Sequence, residues 1–398
     1  MQEKKNTTTL WTGTFVLLIL LNLLNGMVGQ MTVPLVAKFS YALTPDLTLA
    51  STVAGLMSLM SLFICPVAGV LSDRLNRKKL LLISMAGYGL SILLHALAYD
   101  VRVLILLRLI TGAFFSVSGV TMIAFSSLYV PRERLGEGMG YITLATILAQ
   151  AVGPAVGLEL VGKLGYQLTF AVSGIIALAA AAVILILPYQ KEEVRVERKK
   201  FAFRDVFAME FFGFMLLAAL FSSGNGMVST YLAILADERR IPNIALFFTV
   251  YSVCLVLLRP MTGKLLDKRG VYVILLPSVL FAALGMVFIG VGYTLPMMIA
   301  AGVFKAMGQG SGIPSLQAYA VKSLDKERSG VAVSTIMIGQ NVGNALAPIA
   351  GSFFVKSFGY EGMFCGFGAV MLVGGLILLL CQYKKESNYS VVLKKSTG

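Results

Sequence analysis

Short polar connectors cut this chain of 398 residues into apolar runs of about 20 residues or more, and that pattern leaves few folds open. A run of this length crosses the hydrocarbon core of a bilayer as one helix. Twelve are read here, at roughly 10–37, 46–70, 79–98, 101–129, 136–161, 167–188, 207–236, 242–265, 272–292, 295–322, 330–356 and 361–382. Backbone polar groups in lipid must be satisfied within their own segment, so the expected fold is all-α, with twelve transmembrane helices. Composition agrees. Hydrophobic residues make up 57% of the chain and charged residues 13%, against about 25% charge in a soluble domain.

The net charge of +14 would suit nucleic acid, but its placement argues against that partner. The basic residues sit in connectors between apolar runs, which is a membrane topology signal. On one side the connectors hold only Lys38, Arg102, Lys163, Arg239, Arg240 and Lys356. Arg108 and Lys305 lie inside spans, and the rest of the 33 Lys and Arg fall on the other side. That asymmetry predicts a multi-pass protein of the cell membrane, a bacterial inner membrane, with both termini cytoplasmic. The first run is too long for a signal-peptide core and lacks a small-residue cleavage site, so it reads as an uncleaved span. Cys65, Cys254, Cys365 and Cys381 fall in or at the end of apolar runs without metal or disulfide spacing. No metal and no cofactor is expected.

The stretch 189–206 carries Lys191, Arg195, Arg198, Lys199, Lys200 and Arg204 and reads as a cytoplasmic linker. It separates an N-terminal six-helix bundle, 1–188, from a C-terminal one, 207–398, with a short cytoplasmic tail. The halves align on each other at an offset of 194 residues. Pro66 falls on Pro260, Gly69 on Gly263, Asp73 on Asp267, and Glu133-Arg134 on Glu327-Arg328. Pro154 and Gly157 fall on Pro348 and Gly351, and Gly165-Tyr166 on Gly359-Tyr360. Asn25-Gly26-Met27-Val28 matches Asn225-Gly226-Met227-Val228 at an offset of 200. Two copies of six spans each are parallel repeats, giving two pseudo-symmetric bundles related by an axis along the membrane normal.

Between the second and third spans stand Gly69, Asp73, Arg74, Arg77, Lys78 and Lys79, and the second half repeats Gly263, Asp267, Lys268 and Arg269. This resembles the signature loop of the major facilitator superfamily. The family's later glycine is Asn76 here, a residue that next best tolerates a left-handed turn. The resemblance implies a transporter working by alternating access, with its substrate site between the halves near the midplane. The glycines would let helices approach closely. Asp73 would face the helix start near Ser329-Gly330, and Asp267 the start near Leu135-Gly136, as a conformational latch on helix N-termini. The plainer reading is a solvated, positive-inside loop.

Arg108 with Gly112 resembles the family's fourth-helix motif. Gly153, Pro154 and Gly157 resemble the fifth-helix motif of its twelve-helix drug:proton antiporters, although Ala145, Ala149 and Leu158 stand where glycine is usual. An ionisable group inside a span marks function by default, which singles out Arg108 and Lys305; structural partnering is the alternative for each. At the repeat position of Lys305 the first half has Thr111. Further polar candidates are Asn22, Asn25, Gln30, Gln150, Asn225, Gln309, Gln340, Asn341 and Asn344, with Phe114, Phe115, Tyr231, Tyr251 and Phe304 as apolar contacts. His95 reads as structural.

Proton coupling normally uses a carboxylate in the path, yet none of the 19 acids sits at mid-depth. Glu159 and Asp46 are the nearest candidates, and Lys305 is a third titratable group. Cations without an anion in the core favour an anionic or zwitterionic substrate. The expectation is a monomeric secondary active transporter in a lipid bilayer that expels a drug-like, amphipathic or anionic small molecule in exchange for protons. An importer or facilitator of a small organic acid or sugar is the alternative. A membrane enzyme would need a His, Asp or Glu cluster or a nucleotide loop, and the chain has one His and no such motif.

Overall fold

The computed structural model describes residues 10–44, 46–131, 134–188, 208–323 and 326–396. The described chain is helical: α1 (Gly13–Leu43), α2 (Leu47–Arg74), α3 (Arg77–His95), α4 (Val101–Ser126), α5 (Leu135–Ile186), α6 (Phe212–Glu238), α7 (Ala245–Arg269), α8 (Tyr272–Val291), α9 (Leu295–Met307), α10 (Gln309–Ser323) and α11 (Lys326–Ser396). Eight of these helical stretches are long and apolar enough to cross a bilayer. Two of them hold a pair of spans each. α5 turns at Gly165 (φ 77, ψ 175) and α11 turns at Gly359 (φ 68, ψ −179). That backbone conformation is open essentially to glycine alone, so one residue reverses the chain at the same repeat position in each half.

The tenth span was expected to run unbroken over 295–322. Instead it breaks at Gly308 (φ −84, ψ −92), between α9 and α10. A Cβ at Gly308 would collide with the backbone nitrogen of Ala282 on α8, so the break lies where two backbones press together.

The chain divides into two compact units, Met1–Val36 with Phe63–Glu197, and Ala37–Leu62 with Arg198–Gly398. The end of α1 and the beginning of α2 therefore pack with the second unit. The 189–206 linker lies outside the described residues.

In the first unit α3 packs on α4 and α5. Leu18, Leu21, Leu81, Met85, Met122, Phe125, Ala180 and Ile184 form one of its cores. Lipid tails are as apolar as leucine, so helix association in a membrane relies on close packing of small residues. Gly153 and Gly157 of α5 supply it: a Cβ there would stand 3.0 Å from the Met27 carbonyl oxygen and 2.7 Å from that of Met31, both on α1. Gly26 on α1 meets Ala149 in the same way, at 2.8 Å. The second unit repeats this seam between α6 and α11. Side chains added at Gly339 and Gly343 would run into the carbonyl oxygens of Met215 and Ala219, and a Cβ at Gly226 would stand 3.0 Å from the Asn344 carbonyl. Gly339 and Gly343 are the repeat partners of Ala145 and Ala149, so the glycines absent from the first half stand in the second.

Also in the second unit, Lys38 pairs with Asp237 at 2.6 Å, and Lys356 with Asp46 at 3.0 Å. A Cβ at Gly55 of α2 would stand 2.6 Å from the Ala345 carbonyl oxygen. Arg239 caps α8, donating to the carbonyls of Ile289 (3.2 Å), Gly290 (2.6 Å) and Gly292 (2.5 Å), with its guanidinium over the Tyr293 ring. A cation there complements the negative end of the helix dipole.

Candidate functional site

The chemistry of the second unit gathers around Lys305. It lies ten residues into α9, about 15 Å along the helix, and only 5% of its surface is exposed. Its ammonium donates to Asn225 Oδ1 on α6 at 2.9 Å. The Tyr251 ring of α7 lies 3.9 Å from the nitrogen. The Asn225 amide is fixed from its other side, since its Nδ2 donates to Asn344 Oδ1 on α11 at 3.4 Å. Gln309, the first residue of α10 and 3% exposed, lays its amide against Gly224, next to Asn225. Its Oε1 has no hydrogen-bond partner among the described residues. Asn225 of α6 and the Tyr251 ring of α7 thus meet the buried cation directly, and Asn344 of α11 holds the Asn225 amide.

An ammonium has three donors and no acceptor. Among the described residues no carboxylate pairs with Lys305; it has one neutral acceptor and a π face. A Lys at the centre of a membrane helix costs about 2.5–3.5 kcal/mol. A cation retained there at that cost, with donors to spare, is equipped to receive an anion. The repeat position in the first half makes the contrast plain: the Thr111 hydroxyl lies 2.7 Å from the Leu107 carbonyl and 2.9 Å from the Ser91 hydroxyl and closes on its own unit.

In the first unit Arg108 lies on α4 and is 1% exposed. Nearby, Val28, Tyr88, Ile92 and Ala177 form an apolar core with Phe114 and Phe115 beside it. Tyr88 is fully buried there, and its hydroxyl has no hydrogen-bond partner among the described residues. Asn22 bridges to Ser126 at 3.2 Å. Asn25 is buried with Oδ1 unpartnered. His95 is buried, with Nδ1 2.7 Å from the Ser91 carbonyl and Nε2 without a hydrogen-bond partner among the described residues. Gln150 is exposed on α5, and Asn341 is half-buried on α11, one turn before Asn344.

The two carboxylates considered for proton coupling are both exposed and paired. Glu159 meets Lys163 one turn on at 2.7 Å. Asp46 caps α2 through the Thr48 N–H (2.9 Å) and receives Lys356 at 3.0 Å. The lysine hydrogen bond, then that backbone N–H, holds the Asp46 carboxyl below the usual aspartate range.

The side chains of Asp73 and Asp267, and of Leu135, Gly136, Ser329 and Gly330, lie outside the described residues, and the latch stays a proposal on the positions alone. Its two glycines are not at close helix approaches: a Cβ at Gly69 or Gly263 would meet nothing within 4 Å among the described residues. Arg74 and Lys268 are exposed in the last turns of α2 and α7, and Arg77 donates to the Ser72 carbonyl at 3.1 Å. Asn76 does not take the left-handed turn expected of it. It is extended (φ −62, ψ 108) and caps α3, accepting from the Lys79 N–H. The left-handed turn belongs to its repeat partner, Gly270 (φ 82). An Asn side chain that caps a helix removes the need for that turn.

Each unit of membrane-length helices thus buries a cation, Arg108 in the first and Lys305 in the second. The family model described as Major Facilitator Superfamily matches residues 18–292 and 214–395, and the chain belongs to that superfamily. It is therefore a secondary transporter rather than an enzyme. The multidrug resistance protein MdtG of Serratia proteamaculans is 25% identical over 352 residues, covering 83% of this chain and 82% of that protein. An MFS-type transporter of Methanocaldococcus jannaschii is 24% identical over 324 residues, covering 78% and 83%. Among solved structures, a POT family transporter in complex with 5-aminolevulinic acid superposes with a TM-score of 0.79 at 16% identity, covering 93% of this chain and 96% of that one. The nucleoside transporter NupG superposes with a TM-score of 0.75 at 11% identity, covering 94% and 100%. At such identities the two structures speak for the fold alone.

Proposed function

We propose that this protein is a proton-coupled exporter of amphipathic organic anions or zwitterions, acting as a monomer in the cell membrane with both termini in the cytoplasm. The observation that carries the reading is Lys305, a buried cation supported among the described residues by an amide oxygen and an aromatic ring. A site of that sign attracts a negatively charged group and repels a lipophilic cation. Export is supported by the small-residue seam of Gly153 and Gly157, which resembles that of drug:proton antiporters, and by the likeness to MdtG.

Proton exchange is assigned to Lys305 rather than to Glu159 or Asp46. Those two are exposed and held by lysines, so their surroundings offer little difference between two transport states. Arg108 of the first unit serves as a fixed charge. Conformational change is assigned to rocking of the two six-helix repeats, with Asp73 and Asp267 as the cytoplasmic latch.

The test is dye efflux from proteoliposomes with and without an imposed pH gradient, using an anionic and a cationic dye of the same aromatic body. Gradient-driven movement of the anionic dye is expected. Movement of the cationic dye alone, or no response to the gradient, overturns the reading.

A further inference from the structure

We infer that the Lys305 site recognises a carboxylate carrying a hydrogen-bond donor on the adjacent carbon, that is, an α-hydroxy or α-amino acid with an apolar body. This deepens the organic-anion reading above and rests on it. Lys305 has donors beyond the one given to Asn225, so the missing partner on its side is an acceptor. Gln309 Oε1 is buried without a donor among the described residues, so the missing partner on its side is an N–H or O–H. The two residues meet α6 at consecutive positions, Gly224 under Gln309 and Asn225 under Lys305, so one small head group can address both.

Lys305 and Gln309, four residues apart, would be neighbours on one face of an unbroken helix. Here the chain departs from helix between them, and both side chains settle on α6. The aromatic wall fits an apolar body. The Tyr251 ring, 3.9 Å from the Lys305 nitrogen, is that wall. A buried hydrogen-bonding site discriminates strongly against a ligand that lacks the matching group, because its own polar atom is then left unpaired.

The experiment is thermal unfolding of the purified protein in detergent with three probes of one body: 3-phenyllactate, 3-phenylpropionate and 2-phenylethylammonium. Phenyllactate should raise Tm by several degrees, phenylpropionate by less, and phenylethylammonium not at all. Lys305→Met should abolish both anion responses, and Lys305→Arg should keep part of them. Gln309→Leu should lower the phenyllactate response to that of phenylpropionate. Equal responses to all three probes, none to any, or anion responses unchanged in Lys305→Met overturn the proposal. The measurement needs no gradient and no direction of transport. A protein that binds as described but ignores ΔpH would sink proton coupling alone.

Discussion

Gly165 and Gly359, 194 residues apart, carry the same backbone turn, with φ of 77° and 68° and ψ within a few degrees of extended. Neither has a neighbour that a Cβ would strike, so glycine is required there by backbone geometry and not by space. Each turn makes two spans out of one helical stretch. Gly165→Ala and Gly359→Ala should each cost about 1–3 kcal/mol and lower Tm by similar amounts. Gly162→Ala, also in open space but with ordinary helical backbone, should be neutral or stabilising by up to about 1 kcal/mol. Thermal unfolding in one detergent checks all three.

The seam between α1 and α5 sets a second expectation. The Met31 carbonyl lies 2.7 Å from where a Gly157 Cβ would be, and backbone cannot swing aside as a side-chain tip can. Gly157→Leu should reduce folded yield and abolish transport, at about 1–3 kcal/mol of overpacking strain. Gly140→Leu, where nothing lies within 4 Å, should be tolerated.

Asp46 gives a pH dependence of known sign. Its folded carboxyl binds a proton less readily than an unfolded one, first because of the Lys356 hydrogen bond. The stability from that contact is complete above the ordinary aspartate range and is lost as pH falls through and below it. Scans of Tm from about pH 6 to about pH 3 should show a decline that is shallower in Asp46→Asn. Parallel curves for the two proteins would refute the assignment.

Lys38 and Asp237 join the end of α1 to the end of α6, at 2.6 Å. As a partly exposed pair it contributes about 0–1 kcal/mol, weak enough to part during a transport cycle. Lys38→Cys with Asp237→Cys, tied by a short thiol cross-linker in a background without the four native cysteines, should stop transport, and reduction of a cleavable linker should restore it. Normal flux through the cross-linked protein would show that these ends need not separate.

The spans, the repeat and the turn positions were legible because hydropathy and glycine placement are local properties of the chain. So was the exceptional standing of Lys305, an ionisable residue in an apolar run with no partner at its repeat position. The break at Gly308 was missed although Gly308, Gly310 and Gly312 alternate there; only the close backbone of Ala282 makes it a break. Asn76 was misread because cap and left-handed turn draw on the same residue type, and only the dihedral separates them. Pairings such as Asp46 with Lys356, or Asn225 with Lys305 and Asn344, join residues remote in sequence and leave no trace in spacing. Arg239 looked like one more outer charge until its three carbonyl partners on α8 were seen.

Proton movement accompanying substrate, read with a pH-sensitive dye trapped in proteoliposomes, tests the central claim most directly. Wild-type protein should move protons against 3-phenyllactate flux, and Lys305→Met should show neither coupled movement nor gradient-driven accumulation. A Lys305→Met protein that still exchanges protons for this anion at the wild-type rate would contradict the account.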